Sequence, residues 1–374
     1  MIQKEVSELR RRYQPEKTAI SHIYGCYVNS QKEIISYIDE SLGLMPEDEA
    51  GQYLTLLKKS LSGKLGKNLI DIVFSTQQVM DSDEHRTLMA LRDSELKDGA
   101  QRDAFYQKII QSLDMPDSNY LILLAYDAYD VPYRAKDGVR LSDSSDTLYR
   151  YIICAVCPVK DGKLALGYFS GDNEFHNCLA NQIVAAPELG FIFPTFDDRT
   201  ANIYNALFYA RKPEELHHEF IDGIFKVEPP MSAAEQREAF QAVLSDSELS
   251  NMSIVQAIHE QFKARIDEYK DSKEDEPLTV SAGDVTAILA DLGVDEKKIK
   301  AFQKNYAERF GTGAVLPPEN IIDAGRFELK IGDATVSVDP EYSYLIETQV
   351  IEGKKYILIP ADAEAEINGF TVQV

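Results

Sequence analysis

Residues 151–157 read "YIICAVC", and no other stretch restricts the fold as strongly. Laid out as a strand, Ile153, Ala155, Cys157 and Val159 share one face, and Ile152, Cys154 and Val156 share the other. A strand that is apolar on both sides has to be covered on both sides. Strand-like apolar runs recur at 120–126 ("YLILLAY"), in "LGFIFPTF" and in "NIYNALFYAR". Helical stretches follow at 213–225, 232–244 and 252–270, and Ser232 with Glu235 forms a capping-box pattern at the second of these. Strands followed by helices, rather than strict alternation, predict an α+β fold. Its central sheet is expected to be largely antiparallel or mixed, with flanking helices.

The order of elements divides the chain. A main α+β domain is expected over 1–270, with its strand-rich centre at 119–211 and its helices at 213–270. Residues 271–278, "DSKEDEPL", read as a charged linker. A C-terminal module over 279–374 then carries two helices (281–292 and 295–310) and an all-β tail. In that tail Gly332-Asp333, Glu352-Gly353 and Asn368-Gly369 mark tight turns. Near the N-terminus, Asn29-Ser30 separates two β-rich runs as a hairpin would, and 47–61 reads as a helix with acids early and lysines late.

Charge and composition exclude some functions. Lys plus Arg total 39 against 62 Asp plus Glu, a net charge of −23, which opposes nucleic-acid binding. The one basic stretch, "LRRRYQPEK" at 9–17, is expected to be the solvated face of an amphipathic helix. The longest apolar runs fall far short of the roughly 20 residues that cross a bilayer, so no membrane association is expected. The first residues lack the apolar core of a signal peptide. Four cysteines are too few for a disulfide framework in a chain of 374 residues, which predicts a reduced, cytoplasmic protein.

Two constellations could carry chemistry. Cys154, Cys157, His176 and Cys178 have the residue types of a zinc site. Zinc, however, needs each sulfur at about 2.3 Å, whereas strand residues three apart point to opposite faces about 10 Å from each other. Asp161-Gly162 marks a hairpin turn that would pair Cys157 with Leu166 and Cys154 with Phe169. Pro158 is discordant, because it lacks a donor and implies an edge or a bulge. Unless a bulge there turns Cys157 toward Cys154, these cysteines are small hydrophobes in a core.

The second constellation is Asp197-Asp198-Arg199, between two very apolar strands, where paired carboxylates could hold a divalent metal. His217 falls near the centre of an apolar helix face made by Leu216, Phe220, Ile221, Ile224 and Phe225. A buried histidine needs a partner, which a carboxylate of the Asp-Asp-Arg turn could supply. No GxGxxG, P-loop, HExxH or GxSxG pattern occurs.

At "PELGFIFPTFDDRTANIYNALFYARKPEELHHEFIDGIF" and "YLIETQVIEGKKYILIPADAEAEINGF" the chain resembles an uncharacterised family from clostridia and related Firmicutes. That family is defined only as a domain of unknown function, and the likeness runs nearly end to end. The resemblance implies a bacterial, cytoplasmic protein and transfers no catalytic residue. The leading expectation is a cytosolic bacterial binding or interaction protein without catalysis, needing no cofactor and meeting an unknown protein partner. The alternative is a metal-dependent, hydrolase-like enzyme that uses Asp197, Asp198, Arg199 and His217.

Overall fold

The two-faced run at 151–157 sits in the middle of an antiparallel sheet with apolar residues packed on both sides of it. The computed structural model describes residues 1–116, 118–134, 140–141, 147–162, 164–179, 182–272, 274, 276–360, 365–367 and 370–372. They form two compact units, Met1–Ala233 and Ala234–Val374.

The first unit opens with α1 (Gln3–Arg10), β1 (His22–Val28), β2 (Ile34–Ser41), α2 (Glu47–Lys59) and β3 (Leu69–Val73). Three helices follow, α3 (Thr76–Asp81), α4 (Asp83–Asp93) and α5 (Gly99–Ser112). Next come the long strand β4 (Asn119–Val131), the short pair β5 (Tyr133–Arg134) and β6 (Arg140–Leu141), and β7 (Thr147–Lys160). After them lie β8 (Leu164–Phe169), β9 (Glu174–Leu179), β10 (Ile183–Val184) and β11 (Leu189–Phe193). The unit ends with β12 (Thr195–Asp197), β13 (Thr200–Asn202), β14 (Asn205–Ala210) and α6 (His218–Phe225).

The main sheet runs β2-β1-β4-β7-β11-β14-β3, every neighbouring pair antiparallel, and β10 also pairs with β7. One face carries Cys26, Ile122, Cys154, Phe191 and Phe208, which share a core with residues of α4, α5 and α6. The other carries Leu123, Ile153, Cys157, Ile192 and Leu207, in a core with Val6 and Leu9 of α1 and Leu54 and Leu57 of α2. Each fully buried Leu, Ile or Phe stabilises this arrangement by roughly 1.5–3 kcal/mol. Gly190 is needed where α2 ends, because a Cβ there would meet Ser60 Cβ at 2.7 Å and Cys154 O at 2.5 Å.

One expectation changes here. The hairpin at Asp161-Gly162 does not form: β8 pairs with β9, matching Leu166 with Asn177 and Phe169 with Glu174. Both edges of β7 are already taken by β4 and by β11 with β10. The short β10 is exposed, whereas β4 and β11 carry buried apolar residues on both faces and fit between two helical layers. The β8–β9 hairpin, with Leu166, Tyr168 and Phe175 exposed, does not need to. Pro158 makes no bulge, since the β4–β7 register runs one-to-one from Asn119↔Val159 to Val131↔Thr147.

The second unit contains α7 (Ala233–Asp246), α8 (Met252–Ser272), β15 (Val280–Ser281), α9 (Ala282–Asp291) and α10 (Glu296–Phe310). Then follow β16 (Val315–Leu316), α11 (Pro318–Ile321), and the hairpins β17 (Phe327–Ile331) with β18 (Ala334–Val338) and β19 (Glu347–Ile351) with β20 (Lys354–Leu358). A last pair joins β21 (Ala365–Ile367) to β22 (Phe370–Val372). Phe240 of α7 and Phe262 of α8 share one core with Leu289 and Phe302 of α9 and α10. The apolar faces of α7 and α8 are thus satisfied by later helices, and the boundary between compact units falls at Ala233 rather than in 271–278. The turns at Gly332-Asp333 and Glu352-Gly353 join the first two hairpins, while Asn368-Gly369 lies outside the described residues.

Candidate functional site

The cysteine constellation is taken apart by β7. Cys154 packs into the core on the α5–α6 side and Cys157 into the core on the α1–α2 side, both fully buried. Burial pushes the Cys154 thiol well above its ordinary range and Cys157 up to about 12. His176 is exposed on β9, its Nε2 3.0 Å from Asp172 and 3.6 Å from Glu174. Cys178 lies in β9 opposite Ala165, and its side chain is outside the described residues. Among the described residues no group of three or more His, Cys, Asp or Glu side chains is placed to hold a metal.

The Asp-Asp-Arg segment is a tight hairpin. Asp198 and Arg199 form its turn, both at positive φ (46° and 64°), between β12 and β13. Asp197 accepts hydrogen bonds from Thr195 Oγ1 (3.0 Å) and Asn202 Nδ2 (2.7 Å), and its Oδ1 lies 2.5 Å from the Met1 amino group. Burial alone would raise this carboxyl, but these donors and the ammonium charge outweigh it and lower its pKa. Arg199 reaches Glu8 (3.0 Å) and the Pro132 carbonyl (3.1 Å), whereas Asp198 is exposed.

His217 is not on a helix face. It is the residue before α6, at φ 50°, with its carbonyl accepting from the Phe220 and Ile221 amides. The five apolar residues expected around it are all buried, while His217 itself is half-buried beside Glu188, Glu215 and Glu219. Burial lowers its pKa. Glu188 immediately precedes β11 and Asp197 lies beyond its other end, so about 13 Å of strand separates the two neighbourhoods. They also use opposite layers, since Leu216 and Phe220 belong to the α5–α6 core and Phe196 to the α1–α2 core. Asp197, Asp198, Arg199 and His217 do not converge.

The basic stretch at 9–17 is likewise not a solvated face throughout. Arg12 donates to both oxygens of Asp127, which is 1% exposed, and its guanidinium lies 4.2 Å over the Tyr129 ring. Tyr151 donates to Asp127 at 2.8 Å and meets the Tyr13 hydroxyl at 3.0 Å. Tyr129 donates to Glu8 at 2.6 Å. This network fastens the N-terminal segment onto the sheet.

What the first unit does offer is an open groove of about 820 Å³ beside α2. While Leu54 and Leu57 of that helix are buried, Gly51, Gln52, Thr55, Leu56 and Lys59 line the groove. Gln182, Ile183 and Val184 line it as well, together with Leu121 of β4, Pro15 and Glu16. Gln182 is held by Tyr27, which donates to its Oε1 (2.7 Å), and it donates in turn to Asp161 (3.1 Å). Glu47, Asp48 and Glu49, in the first turn of α2, complete the lining with Tyr53. Burial, then Glu49 and Glu40, raise the Tyr53 hydroxyl pKa.

Sequence reasoning read the acids of 47–49 only as partners of the helix dipole. The signal it passed over is Gly51, a glycine inside an otherwise good helix.

A family model described as Domain of unknown function (DUF4317) matches residues 1–370. The chain belongs to that family. The match covers all of the first unit and nearly all of the second, and brings neither an activity nor a source organism with it. No curated protein matches the chain. Among the described residues no helix is long and apolar enough to cross a membrane.

Proposed function

We propose that this is a cytosolic bacterial binding protein without catalysis of its own, and that the groove beside α2 receives its partner. The observation that carries this reading is the groove itself. Its volume of about 820 Å³ falls within the roughly 300–1,000 Å³ of ordinary ligand sites. It combines exposed aliphatic groups, Ile183 and Val184, with several polar side chains, as binding surfaces do. The reducing setting is supported by Cys26, Cys154 and Cys157, which are buried as free thiols. The net charge of −23 favours a protein partner over nucleic acid.

Site-specific photo-crosslinking tests the reading. A benzophenone amino acid replacing Gln52 should give a discrete adduct in the native cell, with one segment of the partner attached and chemically unchanged. The same residue at Glu296, exposed in the other unit, serves as the control. Identical adduct patterns at the two positions, or none at Gln52, would remove the groove from consideration.

A further inference from the structure

We infer that the occupant of this groove is an extended, cationic peptide segment of about five or six residues, its backbone passing over Gly51; this rests on the groove being the binding site. Three observations converge on it.

The first is charge. Glu16, Glu47, Asp48 and Glu49 are exposed, and among the described residues none of the four has an ion-pair partner. The N-terminal dipole of α2 offsets only about half an elementary charge. Among the described residues Lys59 is the single cation of the lining, and it lies at the far end of the helix. Each exposed pair with a ligand would contribute little. Four like charges, three of them in the first turn of α2, nevertheless create a field that draws in cations and rejects anions at that end of the groove.

The second is shape. From Glu47 to Lys59 the helix rises about 18 Å, which an extended chain spans in five or six residues at about 3.3 Å each. Extended chains point alternate side chains in opposite directions. One set can therefore reach Leu56, Leu121 and Val184, while the other faces away from them and meets the carboxylates where the chain passes the first turn of α2.

The third is Gly51. In the interior of a helix glycine costs roughly 0.5–1 kcal/mol relative to alanine. Nothing within the fold requires it here, because a Cβ built at Gly51 meets no atom within 4 Å. The missing side chain instead leaves room for a backbone to approach the helix closely. The position is therefore open to an external occupant.

The test uses a fluorescein-labelled hexapeptide alternating lysine with leucine, and its counterpart with glutamate for lysine. Binding to the full chain is read by fluorescence anisotropy in 0.15 M salt. The lysine peptide should bind at least tenfold tighter than the glutamate peptide. Gly51→Leu should weaken that binding at least tenfold while its melting temperature stays at or above that of the parent. Gly51→Ala should lie between the two. Equal affinity for both peptides, or undiminished binding to a folded Gly51→Leu, overturns the inference. If the lysine peptide fails while the Gln52 adduct forms, the cationic occupant is wrong and the groove stands. If both fail, the groove falls too.

Discussion

Replacing Arg12 by methionine tests the packing on the α1 side of the sheet. The substitution keeps an aliphatic stem of similar length and removes the guanidinium. Asp127 then loses donors at 3.1 and 3.3 Å and retains Tyr151 at 2.8 Å. Removing one partner of a buried ion pair costs about 3–5 kcal/mol, because the other charge stays buried without compensation. Losing the cation over Tyr129 adds about 0.5–1 kcal/mol. The expected loss is about 4 kcal/mol, or a fall in melting temperature of about 8–16 °C for a unit of this size.

With two compact units in the chain, a global melt is not a single transition. The readout is therefore hydrogen exchange in peptides from β4 and β7 at increasing urea. The double variant Arg12→Met/Asp127→Leu removes both charges and should recover to within about 1–2 kcal/mol of the parent. A single variant that costs less than about 1 kcal/mol would mean that the pair is solvated, and the reasoning would be refuted. A double variant no better than the single one would refute it equally.

Three further outcomes are expected. Burial would raise the Asp284 carboxyl, but hydrogen bonds from the Ser281 hydroxyl and amide, with Arg265 at 2.6 Å, outweigh it and hold it at about 2. Because the folded value lies below the unfolded 3.8, its stabilisation is present above about pH 4 and is lost as pH falls toward 2; after discounting for solvent screening this amounts to about 1–2 kcal/mol. Asp284→Asn should flatten the acid limb of α8–α9 exchange, and an unchanged limb would contradict the assignment. The Tyr106 hydroxyl is buried and has no hydrogen-bond partner among the described residues, so Tyr106→Phe should leave stability unchanged or raise it by up to about 1 kcal/mol; a clear loss in urea titration would reveal a hidden partner. Iodoacetamide at pH 8 should leave Cys26, Cys154 and Cys157 unlabelled in the native chain and modify all three in urea, because burial raises each thiol; native labelling seen by peptide mass spectrometry would show that the sheet opens.

The sheet was readable because its signal is local. In "YIICAVC" each residue declares its face, and a strand apolar on both faces admits only the interior of a covered sheet. Partner choice was not readable in the same way. Asp161-Gly162 is a good turn dipeptide, yet β7 exchanges its edges with strands tens of residues away because they can be buried on both sides and β8 need not be. His217 illustrates a different failure. The apolar period picked out Leu216, Phe220, Ile221, Ile224 and Phe225, all of which are buried, but the helix expected from residue 213 begins only at His218, so Leu216 and His217 precede it. A left-handed backbone at His217 takes it off the face that the period gave it.

Arg12 and Gly51 show why functional reading lagged behind fold reading. A charge in a sequence carries the same letter whether it is solvated or buried. Only the approach of Asp127, from a strand far along the chain, makes Arg12 structural. The acids at 47–49 do satisfy the helix dipole, so one sufficient explanation hid a second. What separates the two is the space above the helix, which depends on Pro15, Glu16 and Gln182–Val184 arriving beside α2. Gly51 is the one local trace of that space. A glycine inside a helix that makes room for no neighbour within the fold leaves that surface open to approach from outside. Such residues mark where an uncharacterised structure should be probed first.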